Sequence, residues 1–238
     1  MVESGTKETI LAVGGHSADM DFTCGAILAR YAAEGHRAVL LHCTPGEKGH
    51  PTKSPDAYEE QKTREASQAA EILGAEVRFL PYKGNQFPRE DGPRLAIAQV
   101  IREVRPTIVL THWKGSGHKD HRNAHHNTID AISYAGLPGF PLEGPPHSVR
   151  AVYFAENWED PFDYQVDTLV DVSSVFDRWH EAASSYELFH GVRGTVSRFD
   201  FDGYYSSLFR MRGCLAGTRY AVGLSSPPSI RPKRREAL

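Results

Sequence analysis

The sequence predicts an α/β protein with a Rossmann-like, doubly wound, mostly parallel sheet flanked by helices. Short apolar segments alternate regularly with longer helical patterns over the first 136 residues, which is typical of parallel strands joined by crossover helices. The chain has 238 residues and 40 % hydrophobic residues, an ordinary balance for one globular domain. Together these observations favour a single α/β domain.

The N-terminal half contains four predicted strands and four predicted helices in strict alternation. The strands are placed at 8–15, 36–44, 76–82 and 107–112, and the helices at 21–35, 56–75, 92–106 and 122–136. Gly35, Gly74 and Pro106 lie at the ends of the first three helices, where residues of these types commonly stop a helix.

The C-terminal part is predicted to extend the same sheet. Strands are expected at 148–157 and 168–172, and helices at 173–189 and 202–217. The Pro/Gly-rich connection 137–147 could support a homo-oligomer interface. We therefore expect one domain over 1–225 and a polar, flexible tail over 226–238.

Composition excludes several classes of partner. The formal net charge is −3, which gives no electrostatic reason to expect nucleic acid or an anionic membrane. No apolar run approaches the roughly 18 residues of a membrane span, and segment 1–9 is polar, without a signal-peptide core. Cys24, Cys43 and Cys214 lack metal-knuckle spacing, so we expect buried, reduced thiols in a cytoplasmic protein. The expected partner is a small-molecule substrate.

Two loops carry residues suited to chemistry. GHSAD (15–19) follows the first strand and HKDH (118–121) follows the fourth. These strands are neighbours in the usual doubly wound order, so the two loops are expected to face each other across one crevice. The first loop lacks the G-x-G-x-x-G spacing of a dinucleotide site.

The residues of these loops favour a metal site. His16, Asp19 and one further histidine would give two imidazoles and one carboxylate, a suitable set for catalytic zinc with an open position. His121 and His125 are four residues apart and would share a helix face. His125 is a candidate for supporting the site, with a capping or surface role as the alternative.

The order of motifs resembles the LmbE/PIG-L family of zinc-dependent N-deacetylases. The family's "AHPDD" and "HPDH" signatures correspond to GHSAD and HKDH. TPGEKG (44–49), TREASQAAEILGA (63–75) and RMRGCLAGTRYAVGL (210–224) also resemble family segments. The resemblance therefore spans nearly the whole chain.

The resemblance implies roles for individual residues. His16, Asp19 and His121 match the ligands of Zn²⁺. His118 matches the catalytic histidine that stabilises the oxyanion, and Asp120 matches the carboxylate that orients a motif histidine. A further pair, Glu47 and Arg64, matches residues that line the substrate cleft.

The chain departs from the family pattern at the first signature. Ala18 stands where the family has its general base, Ser17 replaces its proline, and Val222 replaces a C-terminal glutamate. A positioned general base contributes typically 10²–10⁴-fold to a rate, whereas bound zinc can by itself bring water to a pKa near 7. The loss of the base is therefore expected to weaken amide hydrolysis without necessarily abolishing it. Asp120 and Glu47 remain alternative bases.

Three functions follow from this pattern. The leading one is a zinc-dependent hydrolase that removes an N-acyl group from an amino sugar, a thiol conjugate or a natural-product intermediate, by attack of zinc-activated water assisted by His118. The second is a zinc-dependent hydratase or lyase acting on an oxygenated metabolite, because Ala18 replaces the base. The third is a non-catalytic metal-binding protein.

Overall fold

The computed structural model describes residues 7–191 and 196–227. Seven strands form one sheet in the order β3-β2-β1-β4-β5-β7-β6, which confirms the predicted α/β fold. The strands are β1 Thr9–His16, β2 Arg37–Thr44, β3 Glu76–Phe79, β4 Ile108–His112, β5 Ala151–Ala155, β6 Thr168–Asp171 and β7 Ala221–Ser225. The helices are α1 Asp19–Ala33, α2 Pro55–Leu73, α3 Asp91–Val104, α4 Lys119–Gly136, α5 Phe176–Ala183 and α6 Phe201–Ala216.

The first five strands of the chain run parallel, and helices cover both faces of the sheet. Helices α1, α2 and α5 pack against one another, whereas α3 packs against α4. Each group has its own apolar core. The central strands β1, β2 and β4 are buried along almost their whole length, as expected for parallel strands covered on both faces.

The structure corrects several predicted boundaries. Strand β3 ends at Phe79 rather than at residue 82, since Pro81 has no N–H to donate to a neighbouring strand. The helix predicted over 173–189 is only α5, followed by a short 3-10 helix at Glu187–His190. Helix α4 begins at Lys119, three residues earlier than predicted. The HKDH motif therefore forms the first turn of α4.

The C-terminal strand β7 was not predicted. It lies between β5 and β6 and is antiparallel to both, so the sheet is mostly rather than wholly parallel. Residue Ser226 donates its backbone N–H to Asp167, and residues 228–238 of the predicted tail lie outside the described residues.

Two further expectations concern cysteines and membranes. Cys24 and Cys43 are buried and unpaired, as expected, but Cys214 is exposed on α6, because α6 turns this position away from the core. Within the described ranges, no helix is both long and apolar enough to span a membrane.

Candidate metal-binding active site

The two motif loops meet at the carboxyl ends of β1 and β4, as the sequence predicts. His16 is the last residue of β1, and Asp19 begins α1. His118 is the N-cap of α4 and His121 lies in its first turn. Because β1 pairs directly with β4, residues about a hundred positions apart face each other across one crevice.

Three side-chain atoms form a nearly equilateral triangle in this crevice. His16 Nδ1 lies 3.2 Å from Asp19 Oδ2, and His121 Nε2 lies 3.2 Å from the same oxygen. The two histidine nitrogens are 3.3 Å apart. Ligands at 2.0–2.1 Å from a tetrahedral metal ion are separated by about 3.3 Å. The donor set and its spacing therefore fit a divalent transition metal.

The charges around the triangle also favour a cation. Burial opposes charge on Asp19, but the His121 and His16 imidazoles outweigh it and lower the pKa of Asp19 well below its usual value. Burial and the neighbouring His112 lower the pKa of His121 to about 4, which leaves this ring neutral. Despite burial, Asp19 and Asp120 raise the pKa of His16 to about 9. Asp19 and Asp120 thus stabilise a positive charge at this position, whether it is on the His16 ring or on a bound metal ion.

Asp120 holds His16 in place. Its Oδ2 lies 3.1 Å from His16 Nε2 and accepts the backbone N–H of Asn85 at 2.6 Å. When a metal displaces the Nδ1 proton of His16, the remaining proton on Nε2 is directed at this carboxylate. Such carboxylate–histidine contacts fix the orientation and basicity of metal-binding histidines.

We predict that Asp120→Asn weakens metal binding about 10–100-fold, the usual effect of removing a partner of a metal-binding histidine. Competition with a chelator of known affinity measures the change. Asp130→Asn is the matched control, because Asp130 lies on the same helix and pairs with Arg94 at the surface. Equal affinity in Asp120→Asn and wild type would contradict the positioning role.

His118 presents a neutral imidazole to the crevice. Its Nδ1 accepts the backbone N–H of Asp120 at 3.2 Å, which places the ring proton on Nε2. Burial and the neighbouring His16 and His121 lower the pKa of His118 to about 4. Its ring centre lies 4.7 Å from that of His16 and 4.8 Å from that of His121. His118 can therefore donate a hydrogen bond to an oxygen bound beside the metal triangle.

The sequence interpretation overlooked His112, the last residue of β4. Its ring stacks on His121 with centres 4.0 Å apart, and its Nε2 lies 3.1 Å from Asp19 Oδ2. The same nitrogen accepts the backbone N–H of Gly15 at 2.9 Å when it is unprotonated, and donates to Asp19 when it is protonated. Because the ring also stacks on His121, we interpret His112 as a residue that positions Asp19 and His121. A histidine ending a strand at the ligand-binding edge was the signal for it.

Glu159 was also overlooked. It follows β5, the strand next to β4, and lines the pocket with Oε2 3.4 Å from His121 Nδ1. Burial and the charge of Asp19 raise its pKa. Among the described residues, Asp19 and Glu159 are the two acidic residues that line this pocket.

Other candidate residues are structural. His125 is buried and its Nδ1 contacts the backbone oxygen of His112 at 2.8 Å, so it supports the end of β4 rather than lying at the surface. Glu47 is buried and accepts the backbone N–H of Gly84 at 2.9 Å. This hydrogen bond fixes the loop beside the site. Glu47, which the sequence predicts to line the cleft, is not among the pocket-lining residues.

The structure does not place Arg64, expected to line the cleft, among the pocket-lining residues. Its side chain is 67 % exposed and pairs with Glu60 at 3.4 Å on the outer face of α2. The helical period explains this placement, because α2 turns Tyr58 and Lys62 rather than Arg64 towards the pocket.

Glycines make room for two of the histidines. A Cβ on Gly15 would lie 3.2 Å from His121 Cδ2, and a Cβ on Gly46 would lie 3.2 Å from His16 Cβ. Gly46 also adopts a φ of +78°, which L side chains rarely take. Both glycines therefore permit the close approach that brings the histidines together.

Ala18 occupies a strained position in the pocket wall. It is buried, lines the pocket, and has a φ of +89° as the N-cap of α1. Asn and Asp are several-fold enriched among non-glycine residues with positive φ, and alanine is not. An aspartate would thus suit this backbone better, so the local fold does not explain the alanine.

The remaining pocket walls are aromatic and polar. They include Tyr58, Asn85, Asn157, Trp158, Leu188, Phe201 and Tyr205. Trp158 is 41 % exposed and lies at the rim. The pocket can accept a small molecule beside the metal triangle.

Comparison with known proteins agrees with this geometry. The profile of the PIG-L family, described as GlcNAc-PI de-N-acetylase, matches residues 11–132, slightly more than half of the chain. The diacetylchitobiose deacetylase of Thermococcus kodakarensis is 28 % identical over 235 residues, covering 93 % of this chain and 84 % of the relative. The 4-oxalmesaconate hydratase of Pseudomonas putida is 29 % identical over 233 residues, covering 94 % and 86 %.

A crystal structure of a hydratase has a similar fold. The 4-carboxy-2-hydroxymuconate hydratase of Pseudomonas putida superposes with a TM-score of 0.83 and 25 % identity, over 97 % of this chain and 99 % of that one. Relatives of both reaction types, deacetylation and hydration, thus match nearly the whole chain.

Proposed function

Since the chain belongs to the PIG-L family, we propose that it is a metal-dependent enzyme that adds water to a carbon–carbon double bond conjugated with a carbonyl group. His16, Asp19 and His121 would hold the metal, with Zn²⁺ as the proposed ion because the donors are two imidazoles and one carboxylate. The choice of reaction rests on Ala18. This residue has no proton-accepting group, although it lines the pocket at a backbone position that suits aspartate.

The two family reactions differ in their need for a base at this position. In amide hydrolysis, water must lose a proton and the departing nitrogen must gain one, which a carboxylate beside the metal relays. In hydration no amine leaves: the water loses a proton as its oxygen bonds to one carbon, the π bond opens, and a proton is added to the adjacent carbon. The absence of a carboxylate at position 18 removes a group that would deliver a proton to a leaving amine, and hydration has no such step.

The pocket residues suit this reaction. A metal held at the triangle would supply Lewis-acid polarisation of water or of a substrate carbonyl. His118 Nε2 donates a hydrogen bond to the oxygen on which negative charge develops. Glu159, which lines the pocket and whose Oε2 lies 3.4 Å from His121 Nδ1, would carry a proton. Trp158 and Phe201 in the pocket wall limit access of bulk water.

N-deacylation is the second candidate. It is favoured by the diacetylchitobiose deacetylase relative and by Glu159, which would have to replace the missing base from the β5 side of the pocket. A non-catalytic metal-binding role is less consistent with His118, whose neutral imidazole faces the pocket beside the metal triangle.

A paired assay on the zinc-loaded protein separates the two reactions. We expect loss of conjugated ultraviolet absorbance with a panel of unsaturated keto and enol acids, and no acetate release above background from N-acetylglucosamine derivatives. The activity should disappear in His118→Ala. Acetate release that depends on His118, with no change in the absorbance of any conjugated compound, would overturn the proposal.

A further inference from the structure

A buried lysine lines the pocket without a hydrogen-bond partner among the described residues. Lys62 lies on the inner face of α2 and is only 2 % exposed. Its Nζ is shielded from solvent and has no hydrogen-bond partner among the described residues. It is also the one lysine or arginine among the described pocket-lining residues. An ammonium group in this state is costly unless a charge or a ligand compensates it.

The surroundings of Lys62 link it to Ala18. The ammonium lies over the ring of Tyr186, 4.6 Å from its centre. The Tyr186 hydroxyl donates a hydrogen bond to Asp21 Oδ1 at 3.0 Å and interacts with the backbone of Ala18. Lys62 and Ala18 therefore both contact one tyrosine, and both line the pocket.

The nearby carboxylates stabilise the ammonium without contacting it. Burial lowers the pKa of Lys62, and the charges of Glu65, Asp19 and Asp21 partly offset this effect. None of these carboxylates is a hydrogen-bond partner of Lys62 Nζ. The hydrogen-bonding capacity of the ammonium is therefore unused by the described residues, on a side chain that lines the pocket.

We propose that Lys62 is a specificity-determining residue that binds a carboxylate group of the substrate. A charge-assisted hydrogen bond from a buried ammonium to a carboxylate is roughly twice as strong as a neutral one, and the bound anion would neutralise the charge. Ala18 supports the same preference, because an aspartate there would add negative charge to this wall. The inference shares its pocket with the proposed hydration but does not depend on which reaction occurs.

The test compares ligands that differ by one charge. Calorimetric titration of the zinc-loaded protein uses the α,ω-dicarboxylates from malonate to adipate, each against its monoamide. One carboxylate of every compound can bind the metal, so the ratio of the two affinities reports on the second carboxylate. For at least one chain length, we expect wild type to prefer the dicarboxylate by about ten-fold or more, as for a hydrogen bond to a charged group.

Two variants assign this preference to a residue. Lys62→Met, which keeps the side-chain length, should bring the ratio close to one while leaving monoamide binding and zinc content unchanged. Arg64→Met, which removes an exposed cation from the same helix, should leave the ratio as in wild type. A ratio unchanged by Lys62→Met, or an equal loss of affinity for both ligands, would overturn the proposal. If Lys62→Met lost the preference but the wild-type protein showed no hydration activity, Lys62 would still be the carboxylate site and only the proposed reaction would be refuted.

Discussion

His121→Ala and Asp19→Ala proteins are expected to retain less than roughly a tenth of an equivalent of Zn²⁺ after reconstitution and gel filtration, since tight binding at such sites depends on the full ligand set. Each substitution removes one corner of a triangle whose sides are 3.2, 3.2 and 3.3 Å. Activity should fall to background in both variants. Elemental analysis of protein purified without added metal, and again after reconstitution, measures the occupancy.

His118→Ala is the matched comparison in the same motif. It should keep a full equivalent of metal and lose ~10²–10³ in rate, the usual effect of removing one oxyanion donor. Its Nδ1 already accepts the Asp120 N–H, so the ring is not needed to hold the ion. If His118→Ala lost metal as readily as His121→Ala, the roles assigned to the two histidines would be wrong.

Ala18→Asp is expected to reduce hydration of a carboxylate-bearing substrate by about 10²-fold and to leave acetate release near background. Two like charges 4 Å apart repel by about 4 kcal/mol at an effective dielectric constant of 20, and solvent in the open pocket reduces this value. The backbone at position 18, with φ of +89°, accepts aspartate. The variant should therefore fold normally, and its rate change can be interpreted chemically.

Ala18→Asn is the control for Ala18→Asp. Asparagine has nearly the same shape and also suits positive φ, but it adds no charge. We expect Ala18→Asn to retain most of the activity that Ala18→Asp loses. An Ala18→Asp protein that gained about 10²-fold in hydrolysis of an N-acetyl amino sugar, the lower range for a general base, would instead identify a deacetylase whose base has been lost.

Much of the architecture could be predicted from local sequence. Apolar strands alternating with helical patterns predicted the sheet, and the neighbouring positions of β1 and β4 predicted that GHSAD and HKDH would meet. These predictions depend on rules that hold over short distances and on the fixed handedness of crossover connections. The strand β7 was not predicted, because its five residues, with only three hydrophobic side chains, do not distinguish a strand from other buried structure.

The pocket walls were harder to predict than its metal-binding corner. Glu159 and Lys62 reach the site from β5 and α2, and only the tertiary packing of these elements determines which of their side chains face it. Arg64 illustrates the difficulty, since a shift of two positions along α2 moves a side chain from the pocket to solvent. His112 was predictable only in part. The sequence shows that it ends a strand, but its stacking on His121 depends on tertiary packing.

Anomalous diffraction at the zinc absorption edge, from crystals of the reconstituted protein, tests the proposed metal centre most directly. We predict one peak per chain at about 2.0–2.2 Å from His16 Nδ1, Asp19 Oδ2 and His121 Nε2, with His112 and His118 outside bonding distance. A peak bonded to His112 or His118 in place of one of these three residues, or no peak in this crevice, would contradict the proposed site.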